Sequence, residues 1–230
     1  MSRGAFASDA RLHAAEREEA EELRRGLLRL GVIPTIAPFL LPPALRLLRE
    51  RYPALRLALR EDLTAELLSR LEDGRLDFAL IALPYATPGL LVEPLFDDEL
   101  WLVGRKGDPQ LKRRTVALTP ALAERLLLLE EGHCLREHAL YACGATAHPS
   151  AEGMEATSLL TLVQMVESGL GIGLIPKMAV NSGLTQSPGL VTRPIAKPSP
   201  RRTIALAARR STTRLSDLRV LTDEIRRVAR

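Results

Sequence analysis

The sequence is poor in aromatics, cysteine and lysine, and each shortage excludes something. Phe, Trp and Tyr make up 3% of its 230 residues, too few for the stacking platforms on which single-stranded nucleic acids lie. Two cysteines do not make a disulfide scaffold. In a reducing compartment a bond between them would be transient rather than structural. No apolar run approaches the roughly 18 residues of a membrane span, and residues 1–9 lack the apolar stretch of a signal peptide. The expectation is a cytoplasmic protein with no membrane partner. Lysine occurs only at 106, 112, 177 and 197, so the formal charge of +4 is carried by arginines scattered among Asp and Glu. That pattern reads as a solvated mixed-charge surface. Glycines 169, 171 and 173 do not follow G-x-G-x-x-G and open no helix, so close packing explains them better than a nucleotide loop. His133, Cys134, His138 and Cys143 are metal-ligand types, but their spacing matches no common zinc module. Neither metal nor cofactor is expected.

What is present is an ordinary globular balance, 46% hydrophobic and 26% charged, on a length sufficient for one or two domains. Strand and helix patterns alternate. Strands are expected at 27–33, 54–60 and 77–83. Two short ones should flank Asp97–Asp98 within 91–103, and others lie at 126–129, 169–176, 190–195 and 203–208. Helices should follow Pro34–Thr35 through Arg51, run over 65–71 behind an Asp62 or Thr64 cap, open at Thr119–Pro120, span 134–143, start behind Thr157–Ser158, and begin finally at Ser211. Residues 10–25 read as an exposed charged helix and 144–153 as a polar loop. This alternation implies an α/β architecture with mostly parallel sheets. In such folds the loops after the strands gather at a ligand cleft. Thr35, Thr64, the His133–Cys134 pair and Ser158 all hold that position. For any one of them, helix capping is the simpler explanation.

The segment from Leu126 to Cys143 concentrates the chemistry. Its apolar run ends at Glu130–Glu131–Gly132, and a helix then starts at Cys134. Backbone N–H groups and the dipole at a helix start favour a thiolate, and His133 and Arg136 could add positive character. Nine residues of intact helix separate the cysteines by about 13.5 Å and roughly 180°. A disulfide needs Cα atoms within about 7 Å. Either the cysteines never meet and are small buried hydrophobes, or they meet only when the helix melts.

Five segments carry a resemblance: G-V-I-P-T-I-A-P-F-L-L-P (31–42), L-E-E-G-H-C-L-R-E-H-A-L-Y-A-C (129–143), A-T-S-L-L-T-L (156–162), G-L-G-I-G-L-I-P (169–176) and K-P-S-P-R-R-T-I (197–204). Over residues 27–228 the chain resembles the C-terminal, redox-sensing regulatory domains of peroxide-responsive LysR-type transcriptional regulators. The resemblance implies two Rossmann-like subdomains with a cleft between them, like a type 2 periplasmic binding protein. Subdomain I would be 27–97 plus 203–230, and subdomain II 98–202 with the redox segment 130–143. Residues 1–26 would be a tail and the remnant of a linker helix. Cys134 would be the peroxidatic cysteine, oxidised to a sulfenic acid, and Cys143 the resolving one. Thr35, Thr64, His133 and Arg202 would bind peroxide, and Ser158 would line the cleft. Implied partners are hydrogen peroxide, a second copy in a homodimer or tetramer, and a thiol reductant such as glutaredoxin or thioredoxin. DNA and RNA polymerase would be reached only through an N-terminal DNA-binding domain that this chain lacks. The action would be that of a stoichiometric sensor activating oxidative-stress genes, not an enzyme. Glu155 departs from the family pattern, which places a basic residue there. Two other classes compete. One is a domain sensing a small organic metabolite in the inter-subdomain cleft. The other is a thiol peroxidase with turnover, disfavoured because the helix would have to refold in every cycle.

Overall fold

A computed structural model describes residues 27–144 and 154–229. The expected helix at 10–25 and most of the expected loop at 144–153 lie outside the described residues. Within them there are nine strands and seven α-helices. In chain order these are β1 (Leu27–Val32), α1 (Ala37–Arg51), β2 (Arg56–Glu61), α2 (Thr64–Glu72), β3 (Phe78–Leu83), β4 (Leu90–Arg105), α3 (Pro120–Ala123), β5 (Leu126–Leu129), α4 (Cys134–Cys143), β6 (Glu155–Ala156), α5 (Leu159–Glu167), β7 (Ile172–Pro176), α6 (Lys177–Asn181), β8 (Leu190–Pro194), β9 (Arg201–Arg209) and α7 (Leu215–Val228).

The strands join in the order β2-β1-β3-β9-β4-β7-β5-β6, with β8 also on β4. Parallel pairs hold β1 to β2 and β3, and β5 to β6 and β7. Antiparallel pairs hold β9 to β3 and β4, and β4 to β7 and β8. The sheet is therefore mixed, not mostly parallel. The reason is β4. Two short strands were expected around Asp97–Asp98, but one strand of 16 residues runs through, absorbing Pro94 in a register shift. Its first part pairs with β9 over Leu90–Glu99. Its second part lies between β7 and β8. A single strand thus serves both halves of the molecule, and β9 returns from the second half to the first.

One apolar cluster fills the first half, built on Leu30, Phe78, Leu80, Ile81, Leu206 and the inner face of α7. Two more cover the faces of the second sheet, one around Leu127, Leu162 and Val163, the other around Leu126, Leu128 and Leu174. The expected caps differ in detail. Neither Asp62 nor Thr64 caps α2, whose N-cap is Leu63. Asp62 instead accepts from the Leu63 N–H at 3.1 Å. The last helix starts after Arg214, not at Ser211, because Thr212 takes the Arg214 N–H and holds a turn before it. Helix α6 and the two-residue strand β6 had no sequence signal of their own.

The packing role expected of the glycine run holds. A Cβ on Gly171 would lie 2.5 Å from the Arg125 carbonyl oxygen, a backbone atom that also accepts the Ile172 N–H. Gly171→Ala is expected to cost about 1–3 kcal/mol, the range for overpacking. Urea unfolding of the two chains checks this.

Candidate functional site

Three segments meet at the Cys134 thiol: the start of α4, the start of α2 through Thr64, and β9 through Arg202. Cys134 is the first residue of α4. Although α4 belongs to the second half, Cys134 is buried in the apolar cluster of the first. Gly132 makes this approach possible: it turns the chain at φ +92°, and a Cβ there would lie 2.9 Å from the Leu63 methyl group. Side chains other than glycine rarely adopt that φ.

The cation of the site comes from β9. Arg202 is fully buried. Its Nη1 donates to Thr35 Oγ1 at 2.7 Å, and its Nη2 donates to the Thr35 carbonyl at 3.0 Å. Asp98 of β4 balances the charge. Its Oδ2 accepts from Arg202 Nε at 3.2 Å and faces Nη2 at 3.1 Å. Its Oδ1 accepts the Met178 N–H at 3.1 Å. One guanidinium thereby ties together β9, the turn before α1, the middle of β4 and the start of α6. Burial nevertheless pushes the Asp98 carboxyl up, against the pull of Arg202, the Met178 N–H and Lys177.

Thr64, the first residue of α2, has a buried hydroxyl with no well-formed partner. It lies against the Cys134 sulfur, where donating a hydrogen bond favours the thiolate. Burial pushes the Cys134 thiol up. The Arg202 charge, the Thr64 hydroxyl and the N–H groups of Cys134 and Leu135 pull in the other direction without overcoming it. Burial thus works against the thiolate that the helix start favours, and Arg136 is not the source of positive charge. Arg136 points away, donating to the Leu129 carbonyl at 2.8 Å and pairing with Glu155 at 2.6 Å. The departure at Glu155 is therefore compensated within the second half. His133, at the N-cap of α4, makes no side-chain cap. Burial lowers its imidazole below the ordinary value, against Glu130 and a bond to the Thr157 backbone. Burial thus favours its neutral form, and it lies next to the sulfur in sequence.

Ser158 is accounted for by capping. Its hydroxyl accepts the Thr161 N–H at 3.1 Å at the start of α5. Cys143 closes the far end of α4, half-buried against the third apolar cluster, and burial pushes its thiol up. The two cysteines are not joined to each other and pack into different cores, as the helical spacing requires. Thr35, Thr64, Cys134 and Arg202 come together; Ser158 does not join their network. Sequence reasoning missed Asp98. Its signal was three acidic residues, Asp97, Asp98 and Glu99, in the middle of the apolar stretch L-F-D-D-E-L-W-L-V, a pattern that points to a paired buried charge.

His138 was considered only as a metal-ligand type. No cluster suited to a metal ion exists among the described residues. His138 is buried on the next turn of α4, and burial and the Arg202 charge lower its imidazole to about 4. An unfolded chain binds a proton at an ordinary histidine below about pH 6.5. The stability His138 contributes is complete above that pH and is lost as the pH falls toward 4. His138→Gln is expected to flatten this part of the profile, read by urea unfolding at pH 7 and pH 4.5.

The profile of the LysR substrate binding domain matches residues 21–230. The chain is 43% identical over 225 residues to a probable hydrogen peroxide-inducible genes activator of Streptomyces viridosporus, covering 93% of this chain and 70% of that protein. It is 40% identical over 213 residues to the transcriptional regulator EstR of Acinetobacter baylyi, covering 92% and 70%. Among solved structures it is similar to a cysteine-to-serine variant of OxyR from Corynebacterium glutamicum in its H2O2-bound form. There the TM-score is 0.85 at 30% identity, over 98% of this chain and 71% of the other. With two half-sheets strung on one long strand, and Cys134 of the second half reaching Thr64 and the Arg202–Thr35 pair of the first, this chain belongs to the LysR substrate-binding-domain family.

Proposed function

We propose that the chain is the hydrogen-peroxide-sensing regulatory domain of a LysR-type transcriptional activator. The observation that carries this reading is the Cys134 thiol, held at a helix start against Thr64 and Arg202, with a second cysteine nine residues further on. In the thiolate form the sulfur attacks one peroxide oxygen. The O–O bond breaks, Cys134 becomes a sulfenic acid, and the leaving hydroxide takes a proton and departs as water. Arg202 lies where that negative charge develops. The hydroxyls of Thr35 and Thr64 orient the peroxide, and neutral His133 offers a further polar contact. The Cys143 thiolate then attacks the Cys134 sulfur, forming the disulfide and releasing a second water.

The space around Cys134 favours peroxide over a metabolite. Thr35, Thr64 and Arg202 are 2%, 1% and 0% exposed, which suits a two-oxygen substrate. The disulfide requires α4 to open, because its cysteines face opposite ways. Opening removes Cys134 from the first half's core, so oxidation couples to the relation between subdomain I (27–97 plus 203–230) and subdomain II (98–202). Such a change would pass to a homodimer or tetramer and, through a DNA-binding domain outside this chain, to DNA and RNA polymerase. Refolding α4 between cycles suits a stoichiometric sensor, reset in the cytoplasm by a reductant such as glutaredoxin or thioredoxin.

The test is a thiol count by mass spectrometry after alkylation, before and after one equivalent of hydrogen peroxide. Loss of both thiols with a crosslinked Cys134–Cys143 peptide is the expected result. Two thiols still alkylated would overturn the reading.

A further inference from the structure

The guanidinium that serves the Cys134 site has a second face, turned to α6. Met178 is the second residue of that helix and belongs to the second half, yet its side chain packs against the apolar cluster of the first. Arg202 Nη2 points at its sulfur across 3.9 Å. The Met178 N–H is accepted by Asp98 Oδ1 at 3.1 Å. Side chain and backbone of one residue thus touch both members of the buried Arg202–Asp98 pair. A thioether is a weak acceptor. Asp98 Oδ2, 3.1 Å from the same nitrogen, is the stronger partner of Nη2.

Met178 can be reached from outside. It is half-buried and lines a cavity of about 530 Å³ whose walls include Phe39, Phe96, Asp98 and Lys177. None of Thr35, Thr64 and Cys134 lines that cavity, so a small reagent meets the thioether without passing the thiol. Oxidation of a thioether adds one oxygen and turns a flexible apolar side chain into a polar one. In the epimer whose oxygen faces the guanidinium, the new atom lies about 1.5 Å from the sulfur. At an acceptor angle of about 120° it falls about 2.9 Å from Arg202 Nη2, inside the range of an N–H···O hydrogen bond. A weak acceptor would become a strong one with no movement of the backbone.

We propose that Met178 is a second oxidation site, open to hypohalous acids, whose sulfoxide damps the response of Cys134 to peroxide through Arg202. The thioether sulfur attacks the electrophilic chlorine of hypochlorous acid, and the Cl–O bond breaks to release hydroxide. Water then adds to the chlorosulfonium sulfur and chloride leaves. Two protons are released, and one of them neutralises the hydroxide. Sulfur is oxidised by two electrons and chlorine is reduced by two. The new oxygen accepts from Nη2 in competition with Asp98 and the Thr35 carbonyl. Its partial negative charge weakens the field of the guanidinium where hydroxide develops in the reaction with peroxide. A methionine sulfoxide reductase restores the thioether. The damping rests on the redox reading above; the oxidation of Met178 does not. A domain that has met hypohalous acid would register peroxide less readily until Met178 is repaired.

The test treats the reduced chain with hypochlorite and then with dithiothreitol, which returns oxidised cysteines to thiols and leaves sulfoxides in place. Tryptic mass spectrometry then locates the added oxygen. Met178 is expected to carry it in most chains, and the Arg202 guanidinium resonances in NMR should shift. Stopped-flow oxidation of Cys134 by peroxide should be slower in these chains by about ten-fold, short of the about 10²–10³-fold loss of a whole electrostatic group. The rate should recover after methionine sulfoxide reductases A and B, one for each epimer. Met178→Leu cannot take up oxygen, so the same treatment should leave its peroxide rate where it stood before. Met178→Gln places a polar acceptor there permanently and should be slow without treatment. Met178 left unoxidised overturns the site. Oxidised Met178 with an unchanged peroxide rate, or an equal loss of rate in treated Met178→Leu, overturns the coupling. If peroxide never oxidises Cys134, the redox reading falls, and the mass map with the Arg202 resonances still decides the site.

Discussion

Cys134→Ser is expected to leave the fold intact and to abolish the response to one equivalent of hydrogen peroxide. Serine is close in volume to cysteine, and the position lies at a helix start where a hydroxyl is tolerated. Cys143 is not expected to substitute for Cys134. It sits at the opposite end of α4, half-buried in a different core, where burial pushes its thiol up. Cys143→Ser should behave differently, stopping at a Cys134 sulfenic acid that dimedone labels and that no longer resolves. The wild-type rate carries its own signature. Burial holds the Cys134 thiol above its ordinary value, so the thiolate is a minor species at neutral pH. The second-order rate constant should rise with each step from pH 6 to pH 9, without the neutral plateau of a low-pKa thiol. Folding also retains on Cys134 a proton that the unfolded chain releases, so this group's stability contribution falls as the pH rises through the thiol range. Stopped-flow oxidation across that range, on wild type and both variants, reads all of these outcomes.

Arg202→Met should have the second large effect, and it separates packing from chemistry. Removing the guanidinium leaves Asp98, 4% exposed, with only the Met178 N–H and distant Lys177 to balance it. Breaking a buried pair from one side typically costs about 3–5 kcal/mol. Replacing both partners by apolar groups of similar volume is often neutral. The double variant Arg202→Met with Asp98→Leu should therefore recover much of the stability lost in the single one. It should not recover the rate. Without a cation beside the sulfur, the developing hydroxide loses its stabilisation, and oxidation should slow by about 10²–10³-fold in both variants, the usual loss for one preorganised electrostatic group. Urea unfolding and peroxide stopped-flow on the single and double variants give the two readouts. A double variant that regained both stability and rate would reduce Arg202 to a packing element.

Much of this site was legible in the chain because it sits at helix starts. Thr35, Thr64, Cys134 and Ser158 each lie where an apolar run gives way to a helical pattern, and those transitions depend on local residue order. What local order cannot show is which charge from a distant strand will arrive there. Arg202 lies 68 residues beyond Cys134 in the sequence. It was reached through resemblance, and its partner Asp98 was not reached at all. The same limit explains Arg136. From sequence it looked like a neighbour of the thiol; in the fold its side chain points back to β5 and Glu155, because on a helix a residue two positions on faces a different side. The single strand β4 was missed for a related reason. Pro94 and the Asp97–Asp98 pair break an apolar pattern, yet the register shift at Pro94 and the salt bridge at Asp98 let the ladder continue.

The placement of Cys134 in the first half's core bears on how easily an oxidised domain would be reset. A disulfide here would give up the packing of that thiol and the bonds of Arg136 to Leu129 and Glu155. Each 1.4 kcal/mol of reduced-state packing that oxidation forfeits raises the reduction potential of the couple by about 30 mV. Structural disulfides lie far on the reducing side of cellular thiols; one formed at the expense of a well-packed dithiol state is displaced toward them. The core that shields Cys134 from solvent would thus also store the driving force for returning electrons to it, so that the oxidised signal decays once peroxide is gone.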